Sequence, residues 1–205
     1  ENHPNITLYK NYFALELITQ HHLGIKVTKN STDIVCYGIY AFSQFTNEVD
    51  VFLSKITMIA TGGSGTVYQV TSNPLIATGD GVAMVYRAKG LITHMEFMQF
   101  HPTSLYEENV RPAFLITEAL RGEGAILHSH RTKDFVKQFD ERGSLAPRDV
   151  VARAIDFELK ETGNRFVYLD CTHMGKEFLT TRFPKIYNKC KEIGINIDKD
   201  YIPVT

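Results

Sequence analysis

The stretch "SLAPRDVVARAIDFELKETG", residues 144–163, predicts the most clearly bounded helix of the chain. Its apolar positions recur with a period of 3.6 residues and so share one face; they are Val151, Ala154, Ile155 and Leu159. Pro147 suits the first turn of a helix, and Gly163 suits the position just past the last turn. Such a helix must bury its apolar face against other elements, so the flanking sequence has to supply them.

The flanking sequence predicts short strands and further helices. After the helix, "RFVYLD" predicts a strand, "KEFLTTRFPKIYNKCKEIG" predicts one or two helices with a break near Pro184, and "DYIPVT" looks like a strand being entered. Before it, "PAFLITEALRG" predicts a helix from Pro112 to Gly122, and Leu91–Met98 predicts a strand that runs into "QFHPT". We therefore expect an α+β domain over residues 94–205.

The first part of the chain, residues 1–93, predicts mainly strands. Its β-branched and aromatic runs, separated by polar turns, are "NITLY", "GIKVT", "DIVCYGIYAFS" and "VFLSKITMIAT". The run "YFALELITQHH" fits a strand or a helix equally well. "KITMIAT" is nearly all apolar, as is typical of a strand covered on both faces. A helix is then predicted from Asp80 as its N-cap, with Gly90 past its end.

Composition narrows the classes of function. The chain has 205 residues, is 43% hydrophobic and carries a net charge of −1, without a basic stripe or an acidic tail. These features argue against nucleic acid and against a strongly charged partner. The three cysteines share no metal or disulfide spacing, which suits a reducing compartment such as the cytoplasm. No apolar stretch approaches the roughly 20 residues of a membrane span, and the oligomeric state stays open.

Two glycine-rich motifs in the first part are candidates for binding a cofactor. "GGSG", residues 62–65, lets the backbone approach a phosphate or a ribose closely. Its spacing is not G-x-G-x-x-G, so this motif alone favours a tight turn over a cofactor contact. Asp80 in "TGDG" can cap a helix, contact a ligand hydroxyl, or do both.

"QFHPT" raises the same choice in the second part. If this segment continues a strand, Gln99 and His101 lie two residues apart and point to the same side. Pro102 holds the preceding residue extended and limits further pairing. The motif is either a polar strand end at the surface or one wall of a ligand site.

Further charged residues follow. Thr117, Glu118 and Arg121 lie on adjacent turns of the predicted helix, as a structural ion pair or a proton relay would. Arg148 lies in the first turn of its helix, where the helix dipole disfavours a cation. It can pair with Asp149 or bind an anionic substrate.

The histidine pairs are different, because neither His128 and His130 nor His21 and His22 has a third metal ligand nearby. We interpret both pairs as turn residues and expect no metal site.

Four motifs together resemble one family. "ATGGSGTVYQVTSNPLIATGDGVAM", "MEFMQFHPTSLY", "LITEALRGEGAIL" and "FDERGSLAPRDVVARAID" stand in the order found in the succinate dehydrogenase/fumarate reductase flavoprotein family. "RAIDFELKETG", "VYLDCTHM" and "FPKIYNKCKEIGINIDKDYIPV" resemble the branch that oxidises L-aspartate. The resemblance runs over nearly all residues from about 57 onward, and residues 1–56 match less clearly.

The resemblance implies a fold and a reaction. Residues 1–93 would be the back portion of an FAD-binding domain, and residues 94–205 a capping domain that closes over the substrate. Both ends of the chain look cut from a longer protein. The intact enzyme would oxidise L-aspartate to iminoaspartate with FAD, which oxygen or fumarate reoxidises, and the product would feed quinolinate and NAD synthesis.

The resemblance also implies roles for single residues. Gln99, His101 and Thr117 would bind the substrate. Arg148, Glu118 and Arg121 would be catalytic, with Arg148 handling a proton. Asp80, Gly62 and Gly63 would contact FAD. We expect Gln99, His101, Thr117, Glu118 and Arg148 to face one cleft.

Two other interpretations remain open. One is a flavoprotein subunit of succinate dehydrogenase or fumarate reductase, which uses the same core site. The other is a lid-like module that binds without catalysis, because the chain lacks the dinucleotide fingerprint.

Overall fold

The computed structural model describes residues 3–205 and divides the chain into two compact units. The first unit holds the chain up to Ser64 together with Ala77–Phe97, and the second unit holds Gly65–Ile76 and Met98–Thr205. That these units are the back of an FAD-binding domain and a capping domain, divided between residues 93 and 94, stays a prediction.

The first unit is built on an antiparallel sheet of three strands in the order β1-β2-β3. The strands are β1 (Tyr12–Thr19), β2 (Cys36–Ser43) and β3 (Val49–Leu53). Helix α1 (Asp80–Arg87) is joined to β1 by an ion pair in which Arg87 Nε lies 2.7 Å from Glu16 Oε2. The run "YFALELITQHH" is therefore a strand, followed by a 3₁₀ turn over Gln20–Leu23 that contains His21 and His22.

Several predicted strands of the first unit are absent. "NITLY", "GIKVT" and "KITMIAT" form no strand, and neither does Leu91–Met98, whose last residue belongs to the second unit. Ile56 is 85% exposed and Met58 is 86% exposed, so the prediction of a strand covered on both faces is wrong for residues 3–205. β propensity expresses itself only against a partner strand, and the residues that the structure describes provide none for these runs.

Helix α1 also begins differently from the prediction. Its N-cap is Gly79, at φ 82°, and Asp80 is its first residue. The prediction of Asp80 as the N-cap was therefore wrong by one position. The positive φ at this cap is a conformation that glycine adopts without strain.

The second unit packs helices around another antiparallel sheet, in the order β4-β5-β6. Its strands are β4 (Ile126–His128), β5 (Val167–Asp170) and β6 (Ile202–Val204), and its helices are α2 (Glu118–Gly122), α3 (Arg148–Thr162), α4 (Lys176–Arg182) and α5 (Pro184–Glu192). The predicted strand "RFVYLD", the long helix α3 and the break before Pro184 are confirmed, although Pro147 is the N-cap of α3 and not part of its first turn. A continuous apolar core joins these elements, and Val151, Ala154 and Ile155 of α3 are buried in it. The fold is α+β, as predicted.

Helix α2 is shorter than predicted. "PAFLITEALRG" is helical only from Glu118, because the residues before it pair with Thr103–Leu105. Leu105 N donates to Phe114 O at 2.8 Å, and Ile116 N donates to Thr103 O at 3.1 Å. Ile116 is fully buried by this pairing. Tertiary contacts have overridden a helical pattern here.

His128 is not a turn residue, contrary to the prediction. It lies in β4, is 5% exposed and has Nε2 at 3.9 Å from Asp170 Oδ2. His130 lies just after the strand and packs on Phe166 and Tyr168.

Within residues 3–205 no helix is long and apolar enough to cross a membrane.

Candidate active site

The "QFHPT" segment belongs to the second unit, where it is a loop and not a strand end. Gln99 is exposed and His101 is partly buried. His101 Nδ1 lies 3.3 Å from Thr103 N and 3.1 Å from Thr103 O, which holds the imidazole against its own loop. The predicted strand register thus does not orient Gln99 and His101, and the turn at Thr103 orients the imidazole instead.

The Glu118 carboxylate is held by two arginines. Arg148 Nε donates to Glu118 Oε2 at 2.5 Å, and Arg121 Nη2 donates to Glu118 Oε1 at 3.4 Å. Glu118 is the first residue of α2 and Arg148 the first of α3, so the starts of two helices meet here. The hydrogen bond from Arg148 holds the pKa of Glu118 below its usual value.

Asp149, the neighbouring residue that could pair with Arg148, forms an ion pair with another arginine. Asp149 Oδ2 accepts from Arg153 Nη2 at 2.8 Å, one turn further along α3. Arg148 therefore reaches across to α2, and its side chain stays 41% exposed. A guanidinium with this exposure can contact both a carboxylate of the protein and a molecule from solvent.

Arg121 is the buried member of the group. Its side chain is 1% exposed, and Nη1 donates to Ser144 O at 2.7 Å. Its Nε has no hydrogen-bond partner among residues 3–205. Burial lowers the pKa of Arg121, and Glu118 opposes that effect. A guanidinium in such surroundings depends strongly on its few contacts.

His101 lies in the electric field of this group. Its pKa is lowered first by burial and then by the positive charge of Arg148, while the turn at Thr103 and Glu118 act in the opposite direction. The imidazole is therefore neutral at neutral pH, since its usual pKa is 6.5. It can donate or accept a hydrogen bond without carrying charge.

The structure brings together four of the predicted residues as one cluster: His101, Glu118, Arg121 and Arg148. Thr117 lies beside them as the N-cap of α2, with Oγ1 accepting from Ala119 N at 3.4 Å. Two guanidiniums and one carboxylate leave a net positive charge, which suits an anion.

Sequence reasoning missed two residues behind the cluster. Ser144 is 5% exposed and offers its carbonyl to Arg121. Ser144 Oγ also donates to Asp134 Oδ1 at 3.1 Å. The position of Ser144 inside "RGSLAPRD", four residues before Arg148, is the one signal in the sequence that points to it.

The predicted cofactor residues lie in the first unit. Gly79 N donates to Gly63 O at 3.2 Å, which joins the "GGSG" turn to the start of α1. Gly62 adopts φ 75°, and Asp80 Oδ1 accepts from Thr78 Oγ1 at 2.9 Å. The three predicted residues therefore lie in two adjoining segments, the "GGSG" stretch and the start of α1.

These turns border a cavity of about 560 Å³ lined by Ser64, Gly79, Val82 and Tyr86, among others. A Cβ at Gly79 would lie 3.1 Å from Ser64 Cβ, so glycine permits the close approach of the two turns. The cavity lining combines glycine backbone, hydroxyl groups and apolar side chains, which fit part of a dinucleotide such as FAD, whose hydroxyls and flat rings need such neighbours.

Curated relatives are similar over nearly the whole chain. The chain is 48% identical over 200 residues to an L-aspartate oxidase of Acinetobacter baylyi. The matched region covers 98% of this chain and 36% of the relative. It is 44% identical over 209 residues to the chloroplastic L-aspartate oxidase 2-a of Nicotiana tabacum, which covers 98% of this chain and 31% of the relative. The chain therefore spans about a third of the length of these relatives.

Solved structures are similar in fold. An E. coli quinol fumarate reductase FrdA variant matches with a TM-score of 0.75 and 26% identity, over 94% of this chain and 34% of that one. Mycobacterium smegmatis Sdh1 in complex with UQ1 matches with a TM-score of 0.62 and 32% identity, over 94% of this chain and 31% of that one. The family model described as "FAD binding domain" matches residues 1–205. The chain therefore belongs to the FAD binding domain family.

Proposed function

We propose that this chain is part of an FAD-dependent oxidoreductase that converts L-aspartate to iminoaspartate. The observation that carries the proposal is the Glu118 carboxylate held between Arg148 and Arg121, with a neutral His101 beside it. The sequence identities of 44% and 48% to proteins named L-aspartate oxidase support the choice of substrate.

The substrate loses a hydride from Cα and a proton from its amino group, which leaves the imine. FAD, when bound, would supply the hydride acceptor, and oxygen or fumarate would be the final electron acceptor. The chain's own residues have two tasks, which are to hold two carboxylates and to move one proton. Arginine and histidine are suited to the first task because both donate hydrogen bonds to carboxylates.

Within the proposal, Arg148 is the residue that handles the proton. It is the partly exposed guanidinium of the cluster and already donates to Glu118. Because the Arg148 guanidinium is already protonated, it takes up the substrate's proton only as it passes its own proton to the Glu118 carboxylate, and Arg121 lies on the other side of that carboxylate. These three are the proposed catalytic residues, and the ion pairs between them keep the path short.

Substrate binding is assigned to His101, Thr117 and Gln99. His101 offers a neutral imidazole held by the turn at Thr103. Thr117 caps α2 directly before Glu118. Gln99 is exposed and free to turn toward a ligand, two residues before His101. Cofactor binding is assigned to Asp80, Gly62 and Gly63 in the first unit.

A flavoprotein subunit of succinate dehydrogenase or fumarate reductase is the second candidate. The TM-score of 0.75 to a quinol fumarate reductase favours it. Identity favours aspartate, because it is 48% to the Acinetobacter baylyi relative and 26% to that reductase. The third candidate, a binding module without catalysis, is favoured by the lack of a G-x-G-x-x-G motif.

The proposal extends to the setting of the reaction. The product would enter quinolinate and NAD synthesis, and the compartment would be the cytoplasm. Relatives with plant names are described as chloroplastic, so the compartment differs among similar proteins.

The test is steady-state oxidation by the FAD-loaded holoenzyme that contains this chain. L-aspartate should be turned over with a kcat/KM far above that for succinate. D-aspartate is the control, because its Cα hydrogen points in the opposite direction when the carboxylates and the amino group are bound in the same places. Turnover of succinate in preference to L-aspartate would transfer the assignment to the second candidate. Loading with FAD but no turnover of either substrate would support the binding module.

A further inference from the structure

Ser144 is a buried serine that touches three other segments of the second unit. Its Oγ accepts from Leu127 N of β4 at 2.8 Å and donates to Asp134 Oδ1 at 3.1 Å. Its carbonyl oxygen accepts from Arg121 Nη1 at 2.7 Å. One residue thus links the sheet, the Asp134 loop and the buried guanidinium.

The segment after Ser144 reaches the same carboxylate from the other side. Ser144 lies in the 3₁₀ turn Gly143–Leu145, and α3 begins with Arg148 four residues later. Arg148 contacts Glu118 Oε2, while Arg121, held by the Ser144 carbonyl, contacts Glu118 Oε1. The contacts form a closed ring from Ser144 through Arg121 and Glu118 to Arg148. The turn therefore contacts one guanidinium directly and is joined to the other through the chain.

Asp134 and Gly143 are shaped to hold this turn. Asp134 adopts φ 46° and ψ 49°, a left-handed conformation that few residues adopt apart from glycine, asparagine and aspartate. Gly143 adopts φ 56°, and a Cβ there would lie 2.7 Å from Asp134 Oδ2. The Asp134 carboxylate thus occupies the space that a side chain at position 143 would need, and from there it accepts the hydrogen bond of the Ser144 hydroxyl. Strain of this kind persists only where the surroundings fix it.

Arg121 has few other hydrogen bonds that could fix its guanidinium. Its contact with Glu118 is long, at 3.4 Å, and its Nε has no hydrogen-bond partner among residues 3–205. The bond to the Ser144 carbonyl is the short one, at 2.7 Å. If the turn shifts, the guanidinium loses its main hydrogen bond.

We propose that Ser144 and Asp134 are positioning residues that set the place of the Arg121 guanidinium, and through it the Glu118 carboxylate, relative to Arg148. This inference rests on the proposed function for its catalytic meaning. The alternative is that the Ser144 hydroxyl stabilises the fold and has no influence on Arg121. Nitrogen-15 NMR of the arginine side chains separates the two, because it reports the rotation of the Arg121 Nη1 group.

Ser144→Ala keeps the carbonyl and removes the hydroxyl. Rotation of the Arg121 Nη1 group should then accelerate by roughly tenfold, as expected for a weakened hydrogen bond. Ser129→Ala is the matched control, since Ser129 is also buried and its Oγ holds a turn at Arg131 and Thr132. The control should leave Arg121 unchanged. Unchanged Arg121 rotation in Ser144→Ala would overturn the proposal.

A second pair of variants decides the matter should Ser144→Ala not fold. Asp134→Gly accepts the left-handed backbone and removes the carboxylate, whereas Asp134→Asn accepts the same backbone and keeps an oxygen for the Ser144 hydroxyl. The Arg121 Nη1 group should rotate faster in Asp134→Gly than in the parent. In Asp134→Asn it should rotate at the parent rate. Equal rotation in both variants would overturn the proposal.

Kinetics of the holoenzyme supply the link to the reaction. Ser144→Ala should lower kcat for L-aspartate by at least about tenfold and leave KM within about twofold, because a misplaced relay affects the chemical step. The control Ser129→Ala should leave kcat unchanged. A parent enzyme that does not oxidise L-aspartate would refute the proposed function, while the NMR result would still decide the positioning. A rise in KM with an unchanged kcat would refute the positioning alone.

Discussion

Arg148 stands at the start of α3, where the helix dipole disfavours a positive charge by about 0.3–1 kcal/mol. The Glu118 carboxylate, at 2.5 Å from Arg148 Nε, offsets that cost. Both side chains are 41% exposed, so the ion pair itself contributes at most about 1 kcal/mol. Stability alone is thus a weak reason for an arginine at this position, which leaves room for the proposed role in proton transfer.

Exchange of Arg148 should separate chemistry from binding. In the FAD-loaded holoenzyme, Arg148→Lys should lower kcat for L-aspartate by at least about a hundredfold, because a lysine cannot reproduce the planar guanidinium in a proton relay. KM should change far less. The measurement is steady-state kinetics together with stopped-flow absorbance of the flavin. Flavin absorbance that decays at the parent rate under saturating L-aspartate would assign the proton to another residue.

His101→Ala is the companion variant. Since a hydrogen bond to a substrate carboxylate exists before the chemical step, its loss should raise KM at least as much as it lowers kcat. A large fall in kcat with an unchanged KM would instead make His101 part of the proton path.

Two histidines of the second unit should make stability depend on pH. Burial lowers the pKa of both His101 and His128 below the usual 6.5. The folded chain therefore binds protons less readily than the unfolded chain. The contribution of these two histidines to the free energy of unfolding should be complete above about pH 6.5. It should decline as the pH falls from there through the lowered pKa values.

Urea unfolding at pH 7.5, 6.5 and 5.5 measures this decline. His128→Phe, which keeps a ring in β4 and removes the titrating group, should make the decline shallower. Tyr201→Phe is the control, because Tyr201 packs against the His128 ring and carries no charge in this range. A decline as steep in His128→Phe as in the parent would show that His128 does not contribute.

At the scale of elements, Gly122 and Gly163 both lie at the end of a helix but differ in backbone conformation. Gly163, which ends α3, adopts φ 70°, whereas Gly122 is the last residue of α2 and has no positive φ. A Cβ at either position would meet no atom within 4 Å. An alanine therefore tests the backbone alone in both cases.

Gly163→Ala should lower the free energy of unfolding by about 1–2 kcal/mol, since alanine is strained in the left-handed region. Gly122→Ala should raise it by up to about 1 kcal/mol, because alanine restricts the unfolded chain and favours the helix. Chemical denaturation of the two variants beside the parent gives both values. The same sign for both changes would contradict the backbone explanation.

Elements differ in how well the sequence alone predicts them. Helix α3 is predictable because its period, Pro147 and Gly163 act within the segment itself. The helix at Pro112 and the strands at "KITMIAT" and Leu91–Met98 are not, because their conformation depends on what lies beside them. The candidate site shows the same limit. Its charged residues follow from motifs, but the left-handed Asp134 and its bond to Ser144 arise from tertiary packing.

At the scale of the whole molecule, the chain by itself should not retain FAD. None of its 205 residues form a G-x-G-x-x-G motif, the glycine turn that brings a pyrophosphate to a helix start. The cavity beside Ser64 and Gly79 supplies only part of a dinucleotide site. Purification followed by titration with FAD, with quenching of flavin fluorescence as the signal, tests this expectation. A yellow chain with one flavin per molecule after purification would refute it.

The two units should also differ in local stability, because their cores differ. The continuous apolar core lies entirely in the second unit, whereas the outer strand β3 of the first unit leaves Val49, Val51 and Leu53 more than half exposed. β2 and β5 form a matched pair for comparison, since each is the central strand of a three-stranded antiparallel sheet.

Amide hydrogen exchange measures this difference strand by strand. Leu169 of β5 is fully buried, so the amides of β5 should exchange at least about tenfold more slowly than those of β2, after correction for intrinsic rates. Local opening of β2 should expose less apolar surface to water than opening of β5, because its neighbour β3 is already largely exposed. Exchange from β2 that is equal to or slower than exchange from β5 would show that backbone pairing, and not the apolar core, governs local stability in this chain.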